Sequence, residues 1–286
     1  MFFAMTGWGA SWINAKVLSA YINEFEMIFI RYVITVFTMI PVIVYMKKSF
    51  KIDLKSFLLV LLTSIVFIGY MKYYFLGTKL GTASLGGAFV TTLVPILTFL
   101  MLVILKTKKV ALKDVFALSL GTVGVLSILN IWNSNLDELF VKANGYFILA
   151  SFLWSFVTIL SAKSIKISPI VFTFYLYIVT VVTDTLFFVN FNAIAYEKFD
   201  NTFWLNIFII TIVASTFSNT IYFLGIEKLG TSEASSFIFL VPFSAIGLSY
   251  LFLDEKINFS MLLGTILTIV AIVILNDIKL FRKSLK

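Results

Sequence analysis

"YFLGTKLGTASLGGAFVTTLVP" runs from Tyr74 to Pro95, and "YFLGIEKLGTSEASSFIFLVP" runs from Tyr222 to Pro242. The two are copies of one sentence, with YFLG, KLGT and VP in the same order. The echo reaches further in both directions: Ala4 and Trp8 match Ala150 and Trp154, and Gly121-Thr122 matches Gly264-Thr265. The offset stays between 143 and 149 residues throughout. Apolar helices resemble one another by chance at scattered positions, but chance does not hold an offset constant across five segments. The chain is two homologous halves.

Each half is too apolar to be soluble. Of the 286 residues, 60% are hydrophobic and only 13% charged, whereas a soluble domain carries about 25% charged residues. Mean hydropathy is +1.04. The apolar residues gather in blocks such as "MIFIRYVITVFTMIPVIVYM" (27–46), and a helix needs about 20 such residues to cross the hydrocarbon core. Ten blocks read as spans: 2–19, 26–46, 56–77, 83–105, 112–131, 144–162, 169–190, 203–224, 232–252 and 259–276. A transmembrane barrel would instead show alternating segments of about ten residues. The expectation is an all-α integral membrane protein with ten transmembrane helices. Residues 1–131 form the first five-helix repeat, 132–143 an external connector, 144–276 the second repeat and 277–286 a basic tail. Met1-Phe2-Phe3 enters an apolar stretch without the positive segment of a signal peptide, so it reads as the start of the first span.

The net charge of +8 lies in the loops. With the N-terminus inside, the cytoplasmic loops hold Lys47, Lys48, Lys51, Lys55, Lys106, Lys108, Lys109, Lys113, Lys163, Lys166, Lys228, Lys279, Arg282, Lys283 and Lys286. The opposite loops hold only Lys79, Lys142, Lys198 and Lys256. Lysine and arginine excess marks the cytoplasmic side, so both termini are expected in the cytoplasm of a cell-membrane protein. The basic runs read as topology signals and lipid contacts; a nucleic-acid module would interleave aromatics with a basic fold, and none is present. Five spans per half is an odd number, so the second half enters from the opposite side. The repeats are therefore inverted, an arrangement characteristic of secondary transporters with a midplane site.

The segments "AMTGWGASW", "FIRYVITVF", "GTASLGGAFVTTLVPILTFLM" and "GTVGVLSIL", with "EASSFIFLVPFSAIGLSYLFLDEKIN" and "LGTILTIVAIVIL" in the second half, resemble the EamA domain of the drug/metabolite transporter superfamily. The likeness covers nearly the whole chain, twice. It implies ten helices, cytoplasmic termini and export or exchange of small metabolites. It also implies that spans one, three, four, six, eight and nine surround a cavity, with five and ten outside. The acidic end of the fourth span is kept in "FLDEKIN" (252–258) and absent from "ILKTKKVAL" (104–112).

Candidate residues follow. Trp8 and Trp154 match across the repeat, and Trp12 lies one turn beyond Trp8, so the three are expected to form an aromatic wall, with an interfacial belt as the competing role. Pro95 and Pro242 are expected to interrupt matched spans near their middles, as hinges or tolerated kinks. The small-residue stretches 81–88 and 230–236, with Gly121, Gly124 and Gly264, suit close helix packing. Arg31, Lys72 and Asp184 are intramembrane charges. Arg31 matches an arginine common in the family and is expected to be structural, and Asp184 is expected in an ion pair. Lys72 is expected to face the cavity and attract an anionic group, with Tyr73, Tyr74, Asn219 and Tyr222 beside it; its alternative is to snorkel to the headgroups.

The reading is a secondary transporter of a small metabolite such as an amino acid, and not an enzyme. Its partners are a small-molecule substrate and the lipid bilayer, as a monomer or homodimer, with no cofactor, metal or nucleic acid. With no histidine or cysteine, disulfides and histidine metal sites are excluded, and no P-loop pattern appears. The alternatives are a channel or lipid scramblase, and an intramembrane enzyme, which would lack the usual catalytic pairs.

Overall fold

The computed structural model describes residues 1–106, 109–132, 141–161, 163, 167–229 and 237–275. Most of the expected 132–143 connector, the 230–236 stretch, Lys108, Lys166 and the 277–286 tail lie outside the described residues. Among those described, the chain is helical: α1 (Phe2–Leu18), α2 (Glu24–Tyr45), α3 (Leu54–Leu80), α4 (Ala83–Ile104), α5 (Leu112–Ile128), α6 (Lys142–Ser161) and α7 (Pro169–Phe187). Two short 3-10 turns, Phe191–Ala193 and Tyr196–Lys198, precede α8. We use α8 for three consecutive pieces: α-helical Asn201–Phe208, π-helical Ile209–Phe217 and α-helical Ser218–Leu229. A 3-10 turn, Phe237–Phe239, leads into α9 (Leu240–Leu253), and α10 is Phe259–Leu275.

Six of these are long and apolar enough to span a membrane: α2, α3, α4, α6, α7 and the Asn201–Tyr222 part of α8. The last two, α9 and α10, are apolar but shorter than expected. In lipid every backbone group must find a partner within the protein, which leaves helices as the solution for segments this apolar. The ends are capped accordingly. Asn23 accepts from the Phe25 and Glu26 amides while Glu26 accepts from Asn23 N, a reciprocal capping box. Thr82 caps α4, Asp53 caps α3 and Asp200 caps α8. Asp114 Oδ2 accepts from Ala111 N at 2.8 Å at the start of α5.

The elements pack in matched pairs. α5 packs on α10, α2 on α7 and α4 on α9; α3 packs on α6, and α1 on α8; α4 also packs on α6, and α1 on α9. The α5–α10 contact is made backbone to backbone. A Cβ on Gly264 would lie 2.5 Å from the Gly124 carbonyl and 2.6 Å from Ile128 N. The glycines expected to serve packing do so. Large apolar side chains stay exposed around the bundle, among them Phe37, Leu62, Leu112, Phe152 and Leu263, a surface that suits hydrocarbon rather than water.

The two prolines are not equivalent. Pro95 sits mid-way along α4, which runs through it without a break, while Pro242 is the third residue of α9, directly after the 3-10 turn. The middle expected for Pro242 depends on where its span begins, and residues 230–236 lie outside the described residues.

Contacts between helix ends define one face of the bundle, here called the Gly81 end. There Lys16 Nζ donates to the Lys79 and Gly81 carbonyls at 2.9 and 2.6 Å. Glu255 accepts from Ala83 N (2.7 Å) and Ser84 N (2.8 Å). Tyr21 donates to Asp200 (3.0 Å), and Asn14 Nδ2 to Asn206 Oδ1 (2.7 Å). These bonds tie the first half to the second at that end.

Candidate functional site

Between the Gly81 end and the opposite end the helices turn polar and aromatic side chains toward one another. The centre is Arg31, on α2. It is 8% exposed, its Nε donates to Ser215 Oγ at 3.0 Å, and its guanidinium lies 5.4 Å from the Tyr32 ring centre. Nη1 is buried and has no hydrogen-bond partner among the described residues. Among the described residues, the groups that act on its charge are four tyrosines, Tyr32, Tyr74, Tyr177 and Tyr70. No carboxylate is among them.

These tyrosines belong to a continuous set of rings. Trp12 packs on Tyr74 (4.4 Å between centres), Tyr74 on Tyr70 (5.9 Å), Tyr70 on Trp154 (4.6 Å) and Trp154 on Phe67 (6.1 Å). Phe67 meets Tyr32 at 5.3 Å, and Tyr32 stacks on Tyr177 at 4.5 Å. A polar thread closes the ring on the far side. Tyr177 Oη accepts from Asn219 Nδ2 (2.9 Å), Asn219 Oδ1 accepts from Trp8 Nε1 (2.9 Å), and Trp8 packs on Tyr222 at 5.0 Å. Tyr74 Oη donates to the Ser11 carbonyl at 2.9 Å. Trp8, Tyr70, Trp154, Asn219 and Tyr222 are half-buried, while Trp12, Tyr32, Tyr74 and Tyr177 are buried. Side chains from α1, α2, α3, α6, α7 and α8 are thus linked in one network, and those of α2, α3, α7 and α8 meet Arg31.

The π-helical stretch of α8 is what brings Ser215 there. Its hydroxyls bond back five residues instead of four, Ser215 to the Ile210 carbonyl (2.8 Å), Thr216 to Thr211 (3.2 Å) and Ser218 to Val213 (2.8 Å). The wider turn sets Ser215 Oγ toward Arg31 and Thr216 Oγ1 against Thr38 Oγ1 at 2.6 Å. π-helical turns gather at functional positions because they re-aim side chains. Nothing in the residue order of "IITIVASTF" announces one.

Of the residues singled out in the sequence, Trp8, Trp12, Tyr74, Trp154, Asn219 and Tyr222 meet in this network. The single wall expected of Trp8, Trp12 and Trp154 is instead three positions around it. Lys72 and Tyr73 are elsewhere, which corrects the expected grouping. Lys72 Nζ lies 5.5 Å from the Phe25 ring centre and 5.9 Å from that of Tyr73, and Tyr73 stacks on Tyr146 at 5.7 Å. The reason is helical geometry: two residues turn an α-helix by about 200°, so Lys72 and Tyr74 point to opposite sides of α3. Arg31, expected to be structural, sits at the centre. The ion pair expected for Asp184 is also corrected. It is fully buried, and neither carboxylate oxygen has a hydrogen-bond partner among the described residues. Pro95 lies beside the network: the Val94 carbonyl accepts from Ser155 Oγ at 3.2 Å, joining α4 to α6. Sequence reasoning passed over Tyr32, Tyr70, Tyr177 and Ser215. A tyrosine two residues from a lysine or one residue from an arginine is not a signal in a chain with 12 tyrosines.

Comparison with known proteins agrees with this arrangement at the level of the family. The model of the EamA-like transporter family matches residues 1–130 and, a second time, 141–277. One solved crystal structure aligns over 96% of this chain and 93% of its own, with a TM-score of 0.65 and 16% sequence identity, which makes it similar in fold. No curated protein matches the chain.

Proposed function

Because this chain belongs to the EamA-like transporter family, we propose that it is a secondary transporter that works by alternating access, exporting or exchanging a small metabolite across the cell membrane. The observation that carries this reading is the pairing of elements. α5, α2 and α4 pack on their own repeat counterparts, α10, α7 and α9, while α3–α6 is mirrored by α8–α1 and α4–α6 by α9–α1. Such pairing is what a pseudo-two-fold axis in the membrane plane produces, and the polar centre lies where that axis would pass. Rocking one half against the other then exposes the centre to each side in turn.

The lysine and arginine excess puts the Gly81 end outside and both termini in the cytoplasm. With Asn14–Asn206, Tyr21–Asp200 and Glu255 on the α4 amides all made, the centre is closed to the outside in this conformation. Opening breaks those bonds, and Pro95, which leaves the Thr91 carbonyl without its helical donor, gives α4 a place to bend.

The test is counterflow in proteoliposomes reconstituted with the purified protein and loaded with a metabolite pool. Saturable uptake that is accelerated by substrate on the far side supports the carrier. Flux that grows linearly with concentration, without counterflow, identifies a channel and refutes the proposal.

A further inference from the structure

We propose that Arg31 is the substrate-recognition residue and that the substrate class is a small organic monocarboxylate with an apolar or aromatic body. The inference deepens the transporter reading and rests on it. Its ground is an imbalance in the centre of the bundle. Arg31 is nine-tenths buried, and its Nη1 has no acceptor among the described residues. Among the described residues its charge is met by Tyr32, Tyr70, Tyr74 and Tyr177 and by no carboxylate. A guanidinium removed from water without a counter-charge is costly, and within a membrane such a charge is a functional group by default. The planar fork of arginine matches a carboxylate with two parallel N–H bonds, and Nη1 stands without a partner among the described residues.

The charge and the walls narrow the class. Among the described side chains that meet around the centre, Arg31 is the cation, and Lys72 points to the Phe25 side of α3. One guanidinium matches one negative charge, which selects a carboxylate over a phosphate dianion. The remaining surface is ring faces: Trp154 and Tyr70 on one side, Trp8 and Tyr222 on the other, each half-buried and so with area left to cover. That surface takes up an aliphatic or aromatic body, and Asn219, between Trp8 and Tyr177, offers a single polar contact. An anion also leaves a cell whose interior is electrically negative without opposition from the membrane potential, which agrees with export.

The experiment uses the full-length protein in detergent and in proteoliposomes. Probes are 3-phenylpropionate and hexanoate, each with its amide and its amine, and inorganic phosphate, titrated by tryptophan fluorescence and thermal shift. Wild-type protein is expected to bind at least one acid about tenfold or more tighter than its amide, and neither the amine nor phosphate measurably. Arg31→Gln should erase the difference between acid and amide, and Arg31→Lys should keep the preference for acid with weaker binding. If neither acid is preferred over its amide by the wild-type protein, the inference is overturned without recourse to any variant. If Arg31→Gln keeps the acid preference, Arg31 is not the recognition residue. Preferred binding of the acid with no counterflow leaves the site assigned and removes the transporter reading. Counterflow of amides or amines with no acid preference does the reverse.

Discussion

α3 and α8 carry the same repeated signature, yet the centre uses them differently. Seven residues before the shared tyrosine, α3 has Phe67 and α8 has Ser215; three residues before it, α3 has Met71 and α8 has Asn219. α3 is one α-helix of 27 residues, whereas α8 changes to a π-helix for nine. Phe67 fills space against Tyr32 and Tyr177, and Ser215 takes a hydrogen bond from Arg31. The shared tyrosines both pack on tryptophans of α1, Tyr74 on Trp12 and Tyr222 on Trp8. Arg31 itself lacks a partner in the other copy: Tyr32 and Tyr177 stack face to face, and the residue before Tyr177 is Leu176. Two segments that share a signature thus place an apolar wall on one side of Arg31 and hydrogen-bonding groups on the other.

The contrast breaks most visibly at the glycines. A Cβ on Gly264 meets backbone atoms of Gly124 and Ile128, whereas on its counterpart Gly121 it meets the Ile96 Cδ1 tip at 2.8 Å, which can swing aside. Gly264→Ala is expected to cost about 3 kcal/mol and Gly121→Ala about 1 kcal/mol, read as thermal unfolding in detergent. Equal losses would mean that the two copies pack alike at this level.

Next in size is Ser215→Phe, which writes the α3 residue into α8. It removes the acceptor of Arg31 Nε and overfills the centre, with an expected cost of about 2 kcal/mol and loss of counterflow. Ser215→Ala removes only the hydrogen bond, about 1 kcal/mol, and should keep partial activity. Full activity in Ser215→Phe would mean that the asymmetry between α3 and α8 has no role at the site.

A smaller effect is expected at the Gly81 end. Glu255 bridges two amides at the start of α4, and the basic turn after α4 has no acidic residue to repeat this at the other end. Glu255→Gln weakens those charge-assisted bonds by about 1 kcal/mol. A cysteine at Asn206 should then be labelled faster by an impermeant thiol reagent added outside. Unchanged labelling would show that Glu255 does not hold that end closed.

The smallest effect concerns Asp200, outside the spans. The Phe203 amide, followed by the Tyr21 hydroxyl, holds its carboxyl below the usual carboxylate range. A depressed folded value means that the stabilisation is complete above about pH 4 and is lost as pH falls further through the folded value. The labelling rate of the same cysteine, taken as a ratio to that of the Asp200→Asn variant so that the thiolate's own pH dependence cancels, should therefore rise modestly as pH falls from 6 to 3.

Much of this was legible in the residues alone. Block hydropathy gave helices and a membrane, because a segment as apolar as 261–275 has no other stable form in lipid. The constant offset gave two homologous halves, and the quoted motifs pointed to the EamA family, which the family model matches over both halves. Trp8, Trp154, Tyr74, Asn219 and Tyr222 were found because they stand at or beside repeated positions. What the sequence could not give was the face each residue turns inward. In helices that are apolar on every side, no polar stripe marks the core, so Lys72 and Tyr74, two residues apart, looked like neighbours and lie on opposite sides of α3. The centre at Arg31, the Asp184 carboxylate without a hydrogen-bond partner among the described residues, and the π-helical turn behind Ser215 depend on how α2, α7 and α8 meet. That meeting is fixed by contacts between residues more than a hundred positions apart, and only the tertiary structure decides it.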